Sequence, residues 1–234
     1  MSDELEEQAK RLVGRRAVDA FVRPNWCIGL GTGSTAFYAI ERVGELVREG
    51  LAVSAVATSL STGALCRELR IPLVAFGAAP IELAIDGADE IAPDWSLIKG
   101  GGGALFREKA IALAAQTFVV IGTERKVVAT LGAFPLPIEV VPFSADYVAR
   151  EIEALGGRVT RRARHDKPYV TDNGNAIFDC SFGPIEDPRA LDAALRALHG
   201  VVCTGLFIGL ASRVLIARSD GSVQELTRAA PSPT

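Results

Sequence analysis

Residues 86–109 read DGADEIAPDWSLIKGGGGALFREK. Asp86, Asp89, Lys99, four consecutive glycines and Glu108 fall within this one span. Glycine loses more conformational freedom on folding than any other residue, so four in a row need a reason. Close approach of a ligand to bare backbone N–H groups is one. Asp86 and Asp89 follow the apolar run IELAI. Carboxylates spaced DxxD could hold magnesium; they could equally cap a helix or fix a turn. Lys99 brings a cation to the same region and argues against a metal. Glu108 falls in the helix that the glycines open. Taken alone it reads as half of a surface ion pair.

Two more loops carry polar groups. The segment Gly29-Leu30-Gly31-Thr32-Gly33-Ser34-Thr35 follows an apolar run and opens a helical pattern. Exposed N–H groups at a helix start bind anions, and hydroxyls there add donors. The dinucleotide fingerprint needs glycine where Ser34 stands, and an acidic residue about 20 positions on, where this chain has Ala57-Thr58-Ser59. No GK[ST] follows, so the Walker pattern fails too. Phosphate or sugar binding is preferred to the plainer reading, a tight turn with Ser34 as helix cap. The segment Thr58-Ser59-Leu60-Ser61-Thr62 reads first as an N-cap. Beside the first loop it could complete a hydroxyl-lined pocket at the carboxyl edge of a sheet, where ligands of α/β proteins bind.

These loops need a scaffold to aim them. An amphipathic helix is expected over residues 5–21 and another over 34–49. Strands are expected at 26–30, 51–57, LVAF (73–76), IELAID, WSLIKG and TFVVIG, with helices in TSLSTGALCRELR and ALFREKAIALAAQ between them. Such alternation predicts an α/β fold with a mostly parallel sheet and helices on both faces. The prolines of LGAFPLPIEVVPF mark a boundary. A helix, SADYVAREIEALGG, then stops at Gly156-Gly157. RVTRRAR and PYVTDNGNAIFDCSF read as strands, with Asn173-Gly174 as a hairpin turn. The helix PRALDAALRALHG and the strands VVCTGLFIGL and SRVLIAR follow. A small α+β unit, 133–205, is thus inserted into a main domain formed by 1–132 and 206–234. The final TRAAPSPT is expected to be disordered.

Composition narrows the function. The 234 residues suffice for one large or two small domains, and 49% hydrophobic with 23% charged residues is ordinary for a globular chain. A net charge of −3 argues against a general nucleic-acid binder while leaving room for a local basic anion site. Cys27, Cys66, Cys180 and Cys203 form no CxxC pair and read as buried small apolar residues. With His165 and His199 as the sole histidines, a zinc site has poor support. No signal-peptide pattern and no bilayer-length apolar run is present, so the expected place is the cytoplasm, with no membrane partner. No redox-cofactor site and no nucleophile–histidine pair is legible. Hydroxyls and N–H groups for an anion, with two aspartates, a lysine and a glutamate, suit proton movement on a phosphorylated carbonyl compound. That chemistry needs a positioned base and a donor for the oxygen that becomes negative.

The segments GLGTGSTA, DGADE, IKGGGGAL with FREK, FPLPIEV, KPYVTDNGN and GVV-TGLF, in this order, resemble the signature segments of the type A ribose-5-phosphate isomerase family. The likeness runs from about residue 5 to 225. DGADE followed at this spacing by KGGGGAL and REK is its most specific part; Gly103 and Phe106 stand where the family varies. The resemblance implies a Rossmann-like domain with a smaller α+β, ferredoxin-like domain. It implies interconversion of ribose 5-phosphate and ribulose 5-phosphate in the pentose phosphate pathway, with no cofactor and no metal, by a homodimer or homotetramer. It implies that Glu108 is the base moving a proton between C1 and C2. Substrate would be lined by Thr32, Gly33, Ser34, Thr35, Asp86, Gly87, Ala88, Asp89, Lys99, Gly100, Gly101 and Gly102. Lys126, otherwise read as a surface charge, matches a substrate-binding lysine. In this scheme Asp86 handles hydroxyl protons and Lys99 stabilises developing charge. Three rivals are an enzyme for another sugar phosphate, a coenzyme A transferase with a glutamate nucleophile, and a non-enzymatic sugar-phosphate sensor. The sensor reading lacks an extra DNA-binding segment.

Overall fold

The structure, a computed structural model, describes residues 3–226. The TRAAPSPT segment lies outside the described residues. Contacts divide the chain into two compact units. The first comprises Met1–Ala88, Arg107–Val127 and Leu210–Thr234; the second comprises Asp89–Phe106 and Val128–Gly209.

The first unit is built on a six-stranded sheet. From one edge its strands run Val223–Glu225, Arg213–Ala217, Ala115–Thr123, Ile81–Gly87, Cys27–Leu30 and Ser54–Ala57. All neighbours are parallel except Val223–Glu225, which turns back antiparallel on Arg213–Ala217. Helices α1 (Asp3–Phe21), α2 (Ser34–Arg48), α3 (Leu60–Glu68) and α4 (Leu105–Ala114) connect or cover the strands.

Strand side chains alternate between faces, and the two faces meet different helices. Ile28, Leu30, Leu83, Ile85, Val119 and Ile121 share a buried core with Val13, Ala17 and Val18 of α1 and Ala39, Ile40 and Val43 of α2. Gly29 and Ala84 point the other way, where a Cβ on Gly29 would collide with Ile111 of α4. Helices therefore cover both sides, and the central strands are mostly apolar because neither face meets water there. Each fully buried aliphatic side chain of this kind contributes about 1.5–3 kcal/mol.

The expected LVAF strand is not formed. Leu73 makes a single bridge to Ala55, and the Val74 N–H donates to the Ala55 carbonyl at 2.9 Å. Pro72 on one side has no N–H to add to a ladder, and Gly77 on the other turns the chain with φ +86°. The Val223–Glu225 strand and the short Glu90–Ile91 strand were not expected.

The second unit contains a four-stranded antiparallel sheet ordered Val201–Thr204, Leu136–Val140, Ala176–Ser181 and Arg158–Arg161. Helices α5 (Ala145–Ala154) and α6 (Pro188–Ala197) belong to it; Asp187 caps α6 by accepting the Ala190 N–H at 2.9 Å. Ile98, Ile138, Val148, Ile152, Phe178 and Leu195 lie in its core. A smaller sheet joins Leu206–Phe207, Leu97–Ile98 and Glu90–Ile91.

The hairpin falls at a different place from the expected one. Ala163–Arg164 pairs with Lys167–Pro168, and the turn between them is His165-Asp166, at φ 51° and 60°. Two successive left-handed residues are what a two-residue hairpin turn demands. Asn173-Gly174 does form a turn, with Gly174 N–H donating to the Thr171 carbonyl at 2.9 Å. Its incoming arm forms no strand; one backbone bond crosses the turn, from the Thr171 N–H to the Asn175 carbonyl at 2.8 Å, and side chains supply further hold. Thr171 Oγ1, Asn173 Nδ2 and Asn175 Nδ2 all donate to Oε1 of Glu139, at 3.0, 3.2 and 2.8 Å. Glu139 is fully buried, and a buried carboxyl group needs such partners.

At the rim of the first unit, Glu45 of α2 lies 2.6 Å from Arg15 of α1 and 2.8 Å from Arg42, which also reaches Asp19 at 2.7 Å. Hydrogen bonds from Arg15 and then Arg42 hold the Glu45 carboxyl down to about 2. A depressed carboxylate contributes stability above its ordinary value near 4.5 and loses it as pH falls toward 2. In thermal melts across that window, Glu45→Gln is expected to remove part of the acid-side loss of Tm. The difference should shrink in high salt because the cluster is solvent-screened.

Candidate active site

The order of the parallel strands reverses between Cys27–Leu30 and Ile81–Gly87. From Cys27–Leu30 the chain passes through α2 to Ser54–Ala57 on one side, then through α3 to Ile81–Gly87 on the other. Such a switch point leaves a crevice at the carboxyl ends of the two central strands. Leu30 is in register with Ile85, and the Gly31 N–H donates to the Ile85 carbonyl at 3.0 Å. Gly31 and Asp86 thus leave their strands side by side. A Cβ on Gly31 would land inside the Asp86 carboxyl group. Asp86, 3% exposed, accepts N–H groups from Thr32 at 3.2 Å and from Gly87 at 2.7 Å on its Oδ1.

The two hydroxyl loops meet at Thr32. Its Oγ1 is 2.7 Å from Thr58 Oγ1, 2.8 Å from Ser59 Oγ and 3.0 Å from Thr62 Oγ1. Ser59 caps α3, accepting the Thr62 N–H at 3.0 Å, and Thr62 Oγ1 donates to the Gly31 carbonyl at 2.8 Å. The hydroxyls of the two loops gather here, and much of their bonding is internal, locking the loop after one strand to the loop after the next. Ser34 is not the cap of α2. Gly33 holds that place at φ +120°, a conformation that disfavours any side chain, and no side chain caps the helix. Gly33 and Ser34 are exposed at the helix start, with Thr35 half-buried.

Glu108 stands in the first turn of α4 and is 4% exposed. Lys126 ends a short 3-10 turn, Glu124–Lys126, directly after the Ala115–Thr123 strand, and is half-buried. That turn is held at both flanks. Thr123 Oγ1 donates to the buried Glu6 of α1 at 2.7 Å, and Glu124 accepts the Ser219 N–H at 3.2 Å. Gly87 and Ala88 continue the chain from Asp86 and are half-buried.

The second unit carries Asp89, Lys99, Gly100, Gly101 and Gly102. Lys99 is 2% exposed, its ammonium 5.4 Å from the centre of the Phe207 ring. Its backbone N–H donates to the Gly205 carbonyl at 2.9 Å. Asp89 accepts the Gly101 N–H at 2.7 Å. Part of the glycine requirement is therefore internal to the fold. A Cβ on Gly101 would come within 2.7 Å of the Asp89 carboxylate, and one on Gly103 would strike the Tyr169 hydroxyl.

Sequence reasoning missed Glu90. Almost fully buried, it accepts the N–H groups of Gly132 at 2.7 Å and Phe134 at 2.5 Å. The signal was an acid with apolar Ile91 and Ala92 directly after it. All four cysteines are buried and none is in a disulfide. Burial pushes the Cys66 thiol up to about 11 and the Cys180 thiol up to about 12. Among the described residues, no three His, Cys, Asp or Glu side chains gather where they could hold a metal ion. No described helix is long and apolar enough to cross a membrane.

A glycine turn opening a helix at the switch point, with an acid closing the adjacent strand, defines a Rossmann-like α/β protein with its crevice at the carboxyl ends of the strands. The family profile of ribose 5-phosphate isomerase A (phosphoriboisomerase A) matches residues 54–221. Ribose-5-phosphate isomerase A of Bartonella quintana is 46% identical over 227 residues, covering 94% of this chain and 97% of its own. A solved ribose 5-phosphate isomerase A from Methanocaldococcus jannaschii matches with TM-score 0.90 at 38% identity, covering 94% of this chain and 99% of that one. A D-ribose-5-phosphate isomerase solved in complex with phospho-erythronic acid matches with TM-score 0.91 at 36% identity, covering 95% and 99%. The chain belongs to the ribose 5-phosphate isomerase A family.

The contact between Gly31 and Asp86 is testable by stability alone. Gly31→Ala is expected to displace the carboxyl and lower unfolding free energy by about 1–3 kcal/mol, the usual cost of an added carbon in a packed place. Urea unfolding of variant and wild type measures it.

Proposed function

We propose that this protein interconverts D-ribose 5-phosphate and D-ribulose 5-phosphate as an aldose–ketose isomerase. The observation that carries the reading is membership of the isomerase family over 94% of the chain. The complex of a relative with phospho-erythronic acid supports it. A phosphorylated sugar acid carries a planar, delocalised negative charge, as an enediolate does.

In the open-chain aldose the C2 hydrogen is acidified by the C1 carbonyl. Glu108, as a carboxylate, takes that proton, leaving an enediolate spread over O1, C1, C2 and O2. The same carboxyl returns the proton to C1, while one hydroxyl proton passes from O2 to O1. The burial of Glu108 and its place at the start of α4 suit a base that must be aimed and kept from bulk water. Asp86, fixed by Thr32 and Gly87, is the candidate for the hydroxyl protons and for ring opening. Lys99 and N–H groups of the glycine loop supply positive potential where the oxygens gain charge, from groups already in place before reaction. Thr32 to Thr35 at the start of α2 offer N–H groups and hydroxyls to the substrate, and Lys126 adds a cation. Gly87, Ala88 and Asp89 complete the lining. The family resemblance adds a homodimer or homotetramer acting in the cytoplasm.

Purified protein is expected to interconvert the two pentose phosphates with EDTA present. Glu108→Gln should lower kcat by roughly 10²–10⁴-fold, the usual share of a general base, while KM changes only a few-fold. A variant with kcat intact and KM raised would remove Glu108 from the role of base. A folded wild type that binds ribose 5-phosphate without turning it over would favour the sensor or another phosphosugar. Light scattering on the eluted protein should show two or four chains per particle; a single chain would sink the oligomer reading.

A further inference from the structure

The glycine loop is gripped by one arginine. Arg162 lies just beyond the Arg158–Arg161 strand, with its side chain 12% exposed. Its guanidinium forks onto Asp179 through two bonds, Nε to Oδ2 at 2.9 Å and Nη2 to Oδ1 at 2.5 Å. Its third nitrogen, Nη1, donates to the Gly100 carbonyl at 2.8 Å and to the Gly101 carbonyl at 3.3 Å. The group also lies 5.8 Å from the centre of the Tyr169 ring, whose hydroxyl fills the place of a Gly103 side chain. Arg162 backbone bonds to Ile177 and Tyr169 tie the same residue to the second unit's sheet and ribbon.

The consequence follows from peptide geometry. No peptide bond here is cis, and in a trans peptide the C=O and the N–H of one unit point in opposite directions. The unit joining Gly100 to Gly101 is held at both ends, its carbonyl by Arg162 and its N–H by Asp89. In the next unit the Gly101 carbonyl faces Arg162, so the Gly102 N–H faces away from it. Glycine peptides flip easily, because no Cβ restricts them. A flip would turn a carbonyl oxygen, and hence negative charge, toward whatever the loop should receive.

We propose that Arg162, clamped by Asp179, is a positioning residue for the isomerisation: it holds the loop's carbonyls back so that the loop offers the Gly102 N–H to the developing enediolate. The inference rests on the isomerase reading above. Arg162 acts through Gly100 and Gly101 and touches no reacting atom. A lysine cannot replace it, because one ammonium cannot fork onto the carboxylate and reach two carbonyls at once. Beside the Gly101–Gly102 backbone lies a cavity of about 480 Å³ with Arg162, Tyr169 and Asp179 in its wall. It gives free guanidinium ion a route to the place a truncated arginine would vacate.

The test uses the full-length protein with Arg162→Ala and Arg162→Lys. Both are expected to lower kcat roughly 10- to 100-fold, the range for lost charge-assisted hydrogen bonds, with KM changing less. Guanidinium chloride at tens of millimolar should restore part of the Arg162→Ala activity and leave the wild type unchanged. Hydrogen exchange at the Gly101 amide, held by Asp89, and at the Gly103 amide, which donates to the Gly100 carbonyl at 2.9 Å, should be at least tenfold faster in Arg162→Ala at an unchanged Tm. Unaltered exchange, kcat within twofold of wild type, or a loss that tracks a lower Tm and resists guanidinium would each overturn the proposal. An inactive wild type would instead overturn the isomerase reading, and the exchange data would still judge the hold on the loop.

Discussion

Two parallel strands end side by side, and the groups leaving them compete for one small volume. Gly31 yields its share by having no side chain, and the Asp86 carboxyl takes the space. A carboxyl so buried must find donors, and it finds them in the N–H groups of Thr32 and Gly87. That choice sets the path of the loop into α2. It places Thr32 where its hydroxyl meets those of Thr58, Ser59 and Thr62, tying the starts of α2 and α3 together. The positions of Gly33, Ser34 and Thr35 at an uncapped helix start descend from the same contact.

The second unit solves a similar problem with the opposite parts. Here bare backbone is the object held, and charged side chains do the holding. Asp89 takes an N–H, Arg162 takes two carbonyls, and Tyr169 closes over Gly103. Buried acids elsewhere in this unit work the same way. Glu90 collects the N–H groups of Gly132 and Phe134, and Glu139 collects the donors of the Asn173-Gly174 turn. Loops that would be soft by composition are thus pinned by carboxyl and guanidinium groups, which take up backbone N–H and C=O groups at Gly101, Gly132, Phe134 and Gly100 and side-chain donors at the Asn173-Gly174 turn.

Much of the architecture was legible because it follows from patterns of short range. Apolar runs alternating with helical segments announced the parallel sheet. Glycine followed by hydroxyls marked the α2 start, and the DGADE–KGGGG–Glu108 span stood out by composition alone. What escaped notice depended on partners distant in sequence. Arg162 and Asp179 lie 17 residues apart, and Arg162 meets Gly100 across 62; nothing in RVTRRAR distinguishes one arginine from the next. Glu139 diverts the arm of the Asn173-Gly174 turn from a ladder, while His165-Asp166, a weaker turn signal, makes the hairpin. LVAF had strand composition but was flanked by Pro72 and Gly77, so it stopped at one bridge. Lys126 reads as a surface cation by its neighbours alone, and only the family resemblance singled it out; Thr123 and Glu124 fix the turn that carries it.

The buried cysteines carry a chemical consequence of their own. Alkylation, oxidation to sulfenic acid and disulfide exchange all proceed through the thiolate. Burial pushes the Cys66 thiol up to about 11 and the Cys180 thiol up to about 12, so at pH 7 both stand as neutral thiols. Buried and neutral, these two thiols offer oxidants and electrophiles little thiolate while the chain is folded, and opening of the fold would raise their reactivity.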